Sequence, residues 1–307
     1  MRLHPLFALF LFIILVTSCK KEVVETDNLF KFRDYISYTT SGRVSVTKPI
    51  TINLHKAVEG WELNQDIKDN IVSFNPDVSG RLVTKSKHSL LFYPDEPLDP
   101  DTEYTVTVKL GAIYSDMPSG FENYTFQFKT ITPNFNVVTN DLQSYSKAWQ
   151  YLLGVVKSAD DITIEEAKQL VHATQDGKKL NIEWNESQLP QRVFEFKIDS
   201  ISRNVEDSEI EVTWNGKAIK ADNAGSNMVT IPGRNNFTIT RIEVVQNPEQ
   251  YLLINFSDPI KKQQNFDGLV TIQNTKNPKY IVEGNILKAY PRHQNKGCGS
   301  GRCFSRH

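Results

Sequence analysis

The sequence predicts a mainly β protein: tandem β-sandwich modules, with one short helix in the middle segment. Three observations predict it. From residue 44 onward, apolar and polar residues alternate in short runs, as in strands that bury one face. Clusters of Pro, Gly, Asn and Asp separate those runs, as turns do. Late in the chain the strand patterns of the first module return, which marks a modular array.

The N-terminus reads as an address. Arg2 precedes an apolar stretch over residues 6–16, too short for a membrane-spanning helix, which needs about 20 apolar residues. A charged start, a short apolar core and small residues before a cut site make a secretory signal over residues 1–18. Val16-Thr17-Ser18-Cys19 resembles the lipobox of bacterial lipoproteins. That resemblance makes Cys19 the lipidation site and the membrane its partner through that lipid, each buried CH₂ adding about 0.8 kcal/mol. Lys20, where aspartate would suggest inner-membrane retention, implies the outer membrane; the periplasmic and surface faces both stay open. Residues 19–29 are the lipidated cysteine and a polar tether.

The first module spans residues 30–132. Val44, Val46, Ile50, Ile52 and Leu54 alternate with polar residues, and Ile71–Phe74, Leu90–Tyr93, Tyr104–Val108 and Tyr124–Thr130 continue the pattern. Such short strands between breaks suggest two packed sheets. The stretch from Pro97 to Val108, followed by Phe126-Gln127-Phe128-Lys129-Thr130, resembles the closing hairpin of a bacterial Ig-like domain. In the turn before it, prolines fix φ, and Tyr104 is expected to bury its ring while its hydroxyl reaches the backbone.

The middle segment, residues 133–232, is a β-rich sandwich crossed by the helix. Tyr151–Val156, Lys179–Trp184, Phe194–Ile201 and Glu209–Trp214 read as strands. Thr163-Ile164-Glu165-Glu166 has capping-box form. Ile164, Ala167, Leu170, Val171 and Thr174 then recur at helical spacing, with Gly177 as the stop. Asn215-Gly216 signals a tight hairpin turn.

Residues 233–291 repeat the first module. Ile254-Asn255-Phe256 matches Ile52-Asn53-Leu54, Leu269–Ile272 matches Ile71–Phe74, and Leu287–Pro291 matches Leu90–Pro94. Residues 292–307 have no alternation, no acid, and a sudden load of Gly, Cys and Arg. They read as an aberrant tail on an incomplete second Ig-like module, from a chain ended early.

The whole order resembles the N-terminal part of a bacterial alpha-2-macroglobulin family lipoprotein. The residues that carry this are the lipobox, Thr26-Asp27-Asn28-Leu29-Phe30-Lys31-Phe32, Tyr35–Gly42, Asn140–Ser146, Asn181–Trp184 and Ile254–Pro259. The resemblance implies macroglobulin-like sandwiches and a protease trap in which a bait segment is cut and sandwich domains rearrange. Some members add a thioester in a Cys-Gly-Glu-Gln motif, which this sequence lacks, and no bait segment can be assigned. The expectation is therefore a non-catalytic, lipid-anchored N-terminal arm, with proteases as partners only through missing downstream domains. The alternative is a self-contained Ig-like adhesin or glycan-binding lipoprotein.

Composition and spacing bound the chemistry. The 307 residues suffice for two or three domains, and 35 Lys+Arg balance 36 Asp+Glu. That balance gives no basic footprint for a nucleic-acid partner. His4, His55, His88, His172, His293 and His307 are scattered and sit in no catalytic motif, so no catalytic residue is assigned and no enzyme expected. Cys298, Cys303, His293 and His307 match no zinc spacing. Asp95, Glu96, Asp99 and Asp101 lack EF-hand spacing and read as a solvated turn rather than a Ca²⁺ site. No phosphate-binding glycine pattern occurs, so no metal and no cofactor is assigned. Trp61, Trp149, Trp184 and Trp214 could line a glycan platform, but Trp184 and Trp214 lie in alternating strands and are expected to fill the core.

Overall fold

The computed structural model describes residues 29–68, 70–273 and 275–291. The chain divides into two compact units, the first ending at Ile131 and the second beginning at Thr132. Both are mainly β, with little helix, as the alternation predicts.

The first unit contains β1 (Ile36–Thr39), β2 (Arg43–Val44), β3 (Ile50–Leu54), β4 (Asp66–Ile67), β5 (Val72–Asn75), β6 (Gly80–Ser86), β7 (Ser89–Pro94), β8 (Glu103–Lys109) and β9 (Asn123–Thr130). One sheet has the order β1-β3-β7-β6-β4; the other is β2-β9-β8-β5, with β2 parallel to β9. Period two explains the sandwich. Ile50, Ile52 and Leu54 from one sheet, and Tyr104, Val106, Val108, Tyr124, Phe126 and Phe128 from the other, enter one buried cluster. The corner before β8 closes as its sequence predicts. Tyr104 is buried and stacks on Phe128, and its hydroxyl accepts the Asp99 N–H at 3.0 Å. Thr130 Oγ1 accepts the Thr102 N–H at 2.8 Å and donates to the Asp99 carbonyl at 2.6 Å, tying the turn to β9.

The second unit begins with a sandwich of two four-stranded sheets. Its strands are β10 (Phe135–Ser144), β11 (Trp149–Ile162), β12 (Val171–Gln175), β13 (Lys178–Lys179), β14 (Ile182–Trp184), β15 (Gln191–Ser202), β16 (Ser208–Asn215) and β17 (Ala224–Ile231). The sheets run β10-β11-β15-β14 and β13-β12-β16-β17 around a core that includes Leu152, Phe194, Phe196, Ile198 and Ile210. Gly154 lies opposite Phe196, whose ring covers it; a Cβ there would collide with that ring. A helix, Ile164–Leu170, links β11 to β12. Its capping box is formed: Thr163 Oγ1 accepts the Glu166 N–H at 3.2 Å, and Glu166 Oε2 accepts the Thr163 N–H at 2.7 Å.

Two expectations about this sandwich are corrected. The helix ends at Leu170 rather than near Gly177, because residues 171–175 satisfy period two as well and pair along β16, Val171 opposite Trp214 and Gln175 opposite Ile210. Asp176-Gly177, both at positive φ (52° and 73°), form the two-residue turn between β12 and β13. Asn215-Gly216, by contrast, is no hairpin turn. Asn215 pairs with Ala224, and the intervening loop carries a 3-10 turn at Lys217–Ile219.

The second unit ends in a single four-stranded sheet of β18 (Ile239–Val245), β19 (Tyr251–Phe256), β20 (Lys279–Glu283) and β21 (Ile286–Tyr290), in the order β18-β19-β21-β20. This reproduces β1-β3-β7-β6 of the first unit, strand for strand. The register agrees too. Ile254 faces Leu287 as Ile52 faces Leu90, and Phe256 faces Ile239 as Leu54 faces Ile36. Both first pairs carry an irregularity at the same place, Ile36/Tyr38 in one and Ile239/Arg241 in the other. The expected match of Leu269–Ile272 to β5 fails: those residues form no strand. In the first unit β5 is held by β8, Val72 opposite Val108 and Phe74 opposite Val106, and no described strand stands in that place here. A strand without a partner leaves its backbone groups to water and gains nothing from extension.

Candidate functional site

Residues from six places in the second unit meet where its sandwich joins the terminal sheet. Arg203 follows β15, and its side chain is fully buried. Its Nε donates to the Pro232 carbonyl at 2.8 Å and its Nη2 to the Gly233 carbonyl at 2.7 Å. Its Nη1 donates to Asp258 Oδ1 at 2.7 Å. The guanidinium fork thus ties the sandwich, the link at residues 232–233 and the end of β19 into one knot. Asp207 Oδ1 accepts the Gly233 N–H at 2.7 Å, and the bond holds this carboxyl below the usual range.

Beside it lies a second, uncharged set. Gln150 Nε2 donates to the Ser257 carbonyl at 2.9 Å, and Ser144 Oγ to the same oxygen at 3.2 Å. Asn285, in the turn between β20 and β21, accepts the Ser144 N–H at 3.3 Å and donates to the Phe256 carbonyl at 2.8 Å. At the rim, Asp141 takes Arg241 at 2.9 Å on one oxygen and Asn255 at 2.8 Å on the other. Ser144, Gln150, Arg203, Asn255, Ser257 and Asn285 are all buried. A buried polar joint of this kind has few alternative geometries that leave its donors satisfied, so it fixes an angle where an apolar joint could slide.

The outward face of the β10-β11-β15-β14 sheet carries a different group. Tyr145 and Tyr151 pack at 4.5 Å between ring centroids, and Lys197 Nζ lies 5.2 and 5.3 Å from them. Lys197 also pairs with Asp199 at 3.1 Å and Glu183 at 3.2 Å, and Tyr145 Oη donates to Asp199 at 2.8 Å. The Tyr145 contact, with the two carboxylates, raises Lys197 above the ordinary lysine value; the Tyr145 bond likewise lowers Asp199. Trp149, 50% exposed, heads the same strand as Tyr151.

Few of the sequence candidates fall in either group. Cys19 lies outside the described residues, as do His4, His293, Cys298, Cys303 and His307. His55, His88 and His172 are exposed. Asp95, Glu96, Asp99 and Asp101 lie on the solvated turn before β8, where Asp101 pairs with Lys129 at 2.7 Å. Among the described residues no three His, Cys, Asp or Glu are grouped to hold a metal ion. Trp184 and Trp214 are partly buried against the core of the sandwich, and Trp61 against that of the first unit. Sequence reading missed Arg203 and Asn285. Neither sits in a motif, and their partners lie far along the chain; the one signal was Ile254–Pro259, noticed for the family resemblance, with only its Ile254–Phe256 part noticed as a repeat.

The family model described as "Bacterial Ig-like domain" matches residues 36–130. Residues 36–130 are a bacterial Ig-like domain. That span runs from the first residue of β1 to the last of β9, so it covers both sheets of the first sandwich. No curated protein matches the chain. Among solved structures, the full ectodomain (Ig1–Ig3) of mouse nectin-like molecule 4 is 12% identical, with 83% of this chain and 88% of that one covered and a TM-score of 0.27. Domains 4–9 of the surface layer protein SbsC are 12% identical, with 85% and 44% covered and a TM-score of 0.30. At those scores neither likeness bears on function.

Proposed function

We propose that this chain is a non-catalytic, lipid-anchored arm of Ig-like modules at the outer membrane, and that it belongs to the N-terminal part of an alpha-2-macroglobulin-like protease inhibitor. Cys19 is the lipid acceptor and the membrane the partner; any protease would be engaged by segments beyond those described. The observation that supports an arm is the buried joint at Arg203. A spacer is useful only if its joints hold, and here a charged fork and an amide lattice replace a flexible linker. The inhibitor half of the reading rests on the sequence resemblance alone.

Spin labels at Lys157→Cys and Lys279→Cys, with the native cysteines replaced by serine, measure the joint. The expected distance distribution is a single narrow peak; a broad one sinks the arm. Fatty-acid labelling should mark the wild type and not Cys19→Ala, and label that survives the substitution sinks the anchor. Envelopes of cells lacking the protein should retain less added trypsin than wild-type envelopes. Equal retention removes the inhibitor half and leaves the arm standing.

One observation favours the adhesin alternative: Trp149 and Tyr145 offer exposed rings, with Tyr151 half-buried beside them and fixed charges at hand, the mixture that saccharides stack on. A glycan array probed with wild type and Trp149→Ala decides it. Signals lost in the variant support the alternative, and an empty array removes it.

A further inference from the structure

The chain enters the first unit at one end of its sandwich and leaves it at the other. Phe32, in the turn before β1, is fully buried and packs 5.1 Å from Tyr124, near the start of β9. From there β9 carries the chain to Thr130, about 20 Å away at the usual strand rise, and the unit ends at Ile131. The entry end is the one next in sequence to Cys19.

That end meets solvent with apolar and aromatic groups. Phe30 is 69% exposed and Leu29 42% exposed; the Arg33 guanidinium, 4.6 Å over the Phe30 ring, leaves most of it open. Behind them Tyr35, Tyr114 and Phe121 are half-buried, with Tyr35 5.9 Å from Tyr114 and 6.0 Å from Phe121. Lys31 Nζ lies 5.1 Å over Phe121 and Lys56 Nζ 4.7 Å over Tyr35. Rings with an ammonium at their margin suit the boundary between headgroups and acyl chains, where the ring is buried and the charge reaches water. Charge does not choose the partner, because Lys31, Arg33 and Lys56 are matched at this end by Asp34, Asp116 and Glu122.

Length names the occupant. Residues 20–28 separate Cys19 from Leu29, and a chain drawn out between those two spans at most about 35 Å. A lipid on Cys19 therefore confines the entry end to the neighbourhood of the bilayer, at an effective concentration that lets even weak insertion form. We propose that the entry end of the first unit docks on the bilayer surface, with Phe30 and Leu29 inserted among the headgroups and Tyr35, Tyr114 and Phe121 at their edge. Apolar insertion holds it, not attraction to anionic lipid. This rests on the lipid anchor of the proposed function and adds a second point of attachment, made by the folded unit itself.

The test uses the mature chain with Cys298→Ser and Cys303→Ser, coupled through Cys19 to a maleimide phospholipid in phosphatidylcholine vesicles, with the uncoupled chain in buffer as reference. Amide exchange read by mass spectrometry should slow about tenfold or more at residues 29–35 and 114–121 on coupling, and high salt should not reverse it. Phe30→Ser, at an exposed position, should lose most of that protection; Leu189→Ser, at an exposed position in the second unit, should lose none. No slowing on coupling overturns the proposal. So does slow exchange already present without vesicles, because residues 20–28 would then be the cover. Protection that needs anionic lipid and vanishes at high salt also overturns it, since the cations alone would hold the end. A dimer of the uncoupled chain that Phe30→Ser dissociates makes a second copy the occupant and overturns it as well. The coupled lipid is synthetic, so these results do not depend on whether cells acylate Cys19. If fatty-acid labelling finds Cys19 bare, the anchor falls, and the proposal falls with it whatever the vesicles show.

Discussion

Arg203 Nη1 donates to Asp258 Oδ1 at 2.7 Å, from a side chain with no exposure, and so binds the end of β15 to the end of β19 across the joint of the second unit. Removing the guanidinium leaves Asp258 with only the Ser257 hydroxyl on Oδ2 and takes the Arg203 donors from the carbonyls of Pro232 and Gly233 at once. Breaking a buried pair in this way costs about 3–5 kcal/mol. Arg203→Ala should therefore lower the urea midpoint of the second unit and leave the first unit's midpoint unchanged. Arg203→Lys should rescue little, because an ammonium cannot reproduce the planar fork. Full rescue by lysine would mean that only charge matters at the joint.

Tyr114 gives the first unit an alkaline limit. Burial pushes its hydroxyl up to about 12, and that hydroxyl donates to the Lys56 carbonyl at 2.8 Å. A phenol that holds its proton longer folded than unfolded stabilises the fold fully below its unfolded value, about 10. That contribution is lost as pH rises through the folded value. Thermal melts should thus show the first unit losing stability between about pH 10 and pH 12, with a smaller loss in Tyr114→Phe. Identical pH profiles for the two proteins would remove Tyr114 from the account.

Phe196 is buried, and its ring covers Gly154 and packs 5.2 Å from Trp184. Phe196→Ala should cost about 3–5 kcal/mol, since it opens a cavity beneath two sheets. Trp184, only partly buried, should cost less on change to Ala. Equal losses would mean that the indole carries more of the core than its exposure indicates.

The terminal sheet should be the first part of the described chain to open. Its buried cluster is Ile254, Phe266 and Leu287, small beside the clusters of the two sandwiches. Little buried apolar area is set there against the entropy of ordering the segment. Limited proteolysis should clip residues 239–280 while residues 36–231 survive. Equal resistance would show that the sheet is already covered.

What could be read along the chain was whatever neighbouring residues write. Period two announced β3, β5, β7, β8, β9, β11, β15 and β16, because alternation needs only the residue and its neighbours two away. It did not announce β1, β6, β10, β17, β18 or β20. The Thr163–Glu166 capping box and the Tyr104 corner are likewise local devices, and both formed where the sequence placed them. Even the repeat was visible, since Ile52 and Ile254 sit in similar strings. The third dimension decided the rest, because pairing and burial depend on what arrives from elsewhere. Residues 171–175 fit a helix or a strand, and β16 chose the strand. Asp176-Gly177 became the hairpin turn and Asn215-Gly216 did not, because the strands on either side of the first meet at once. Leu269–Ile272 has the pattern of β5 with no counterpart of β8 among the described residues to hold it, and it forms no strand there. Arg203 is one arginine in a polar stretch until residues 232, 233 and 258 close around it. A contact between distant segments leaves no period in the sequence, and only the folded chain brings its two ends together.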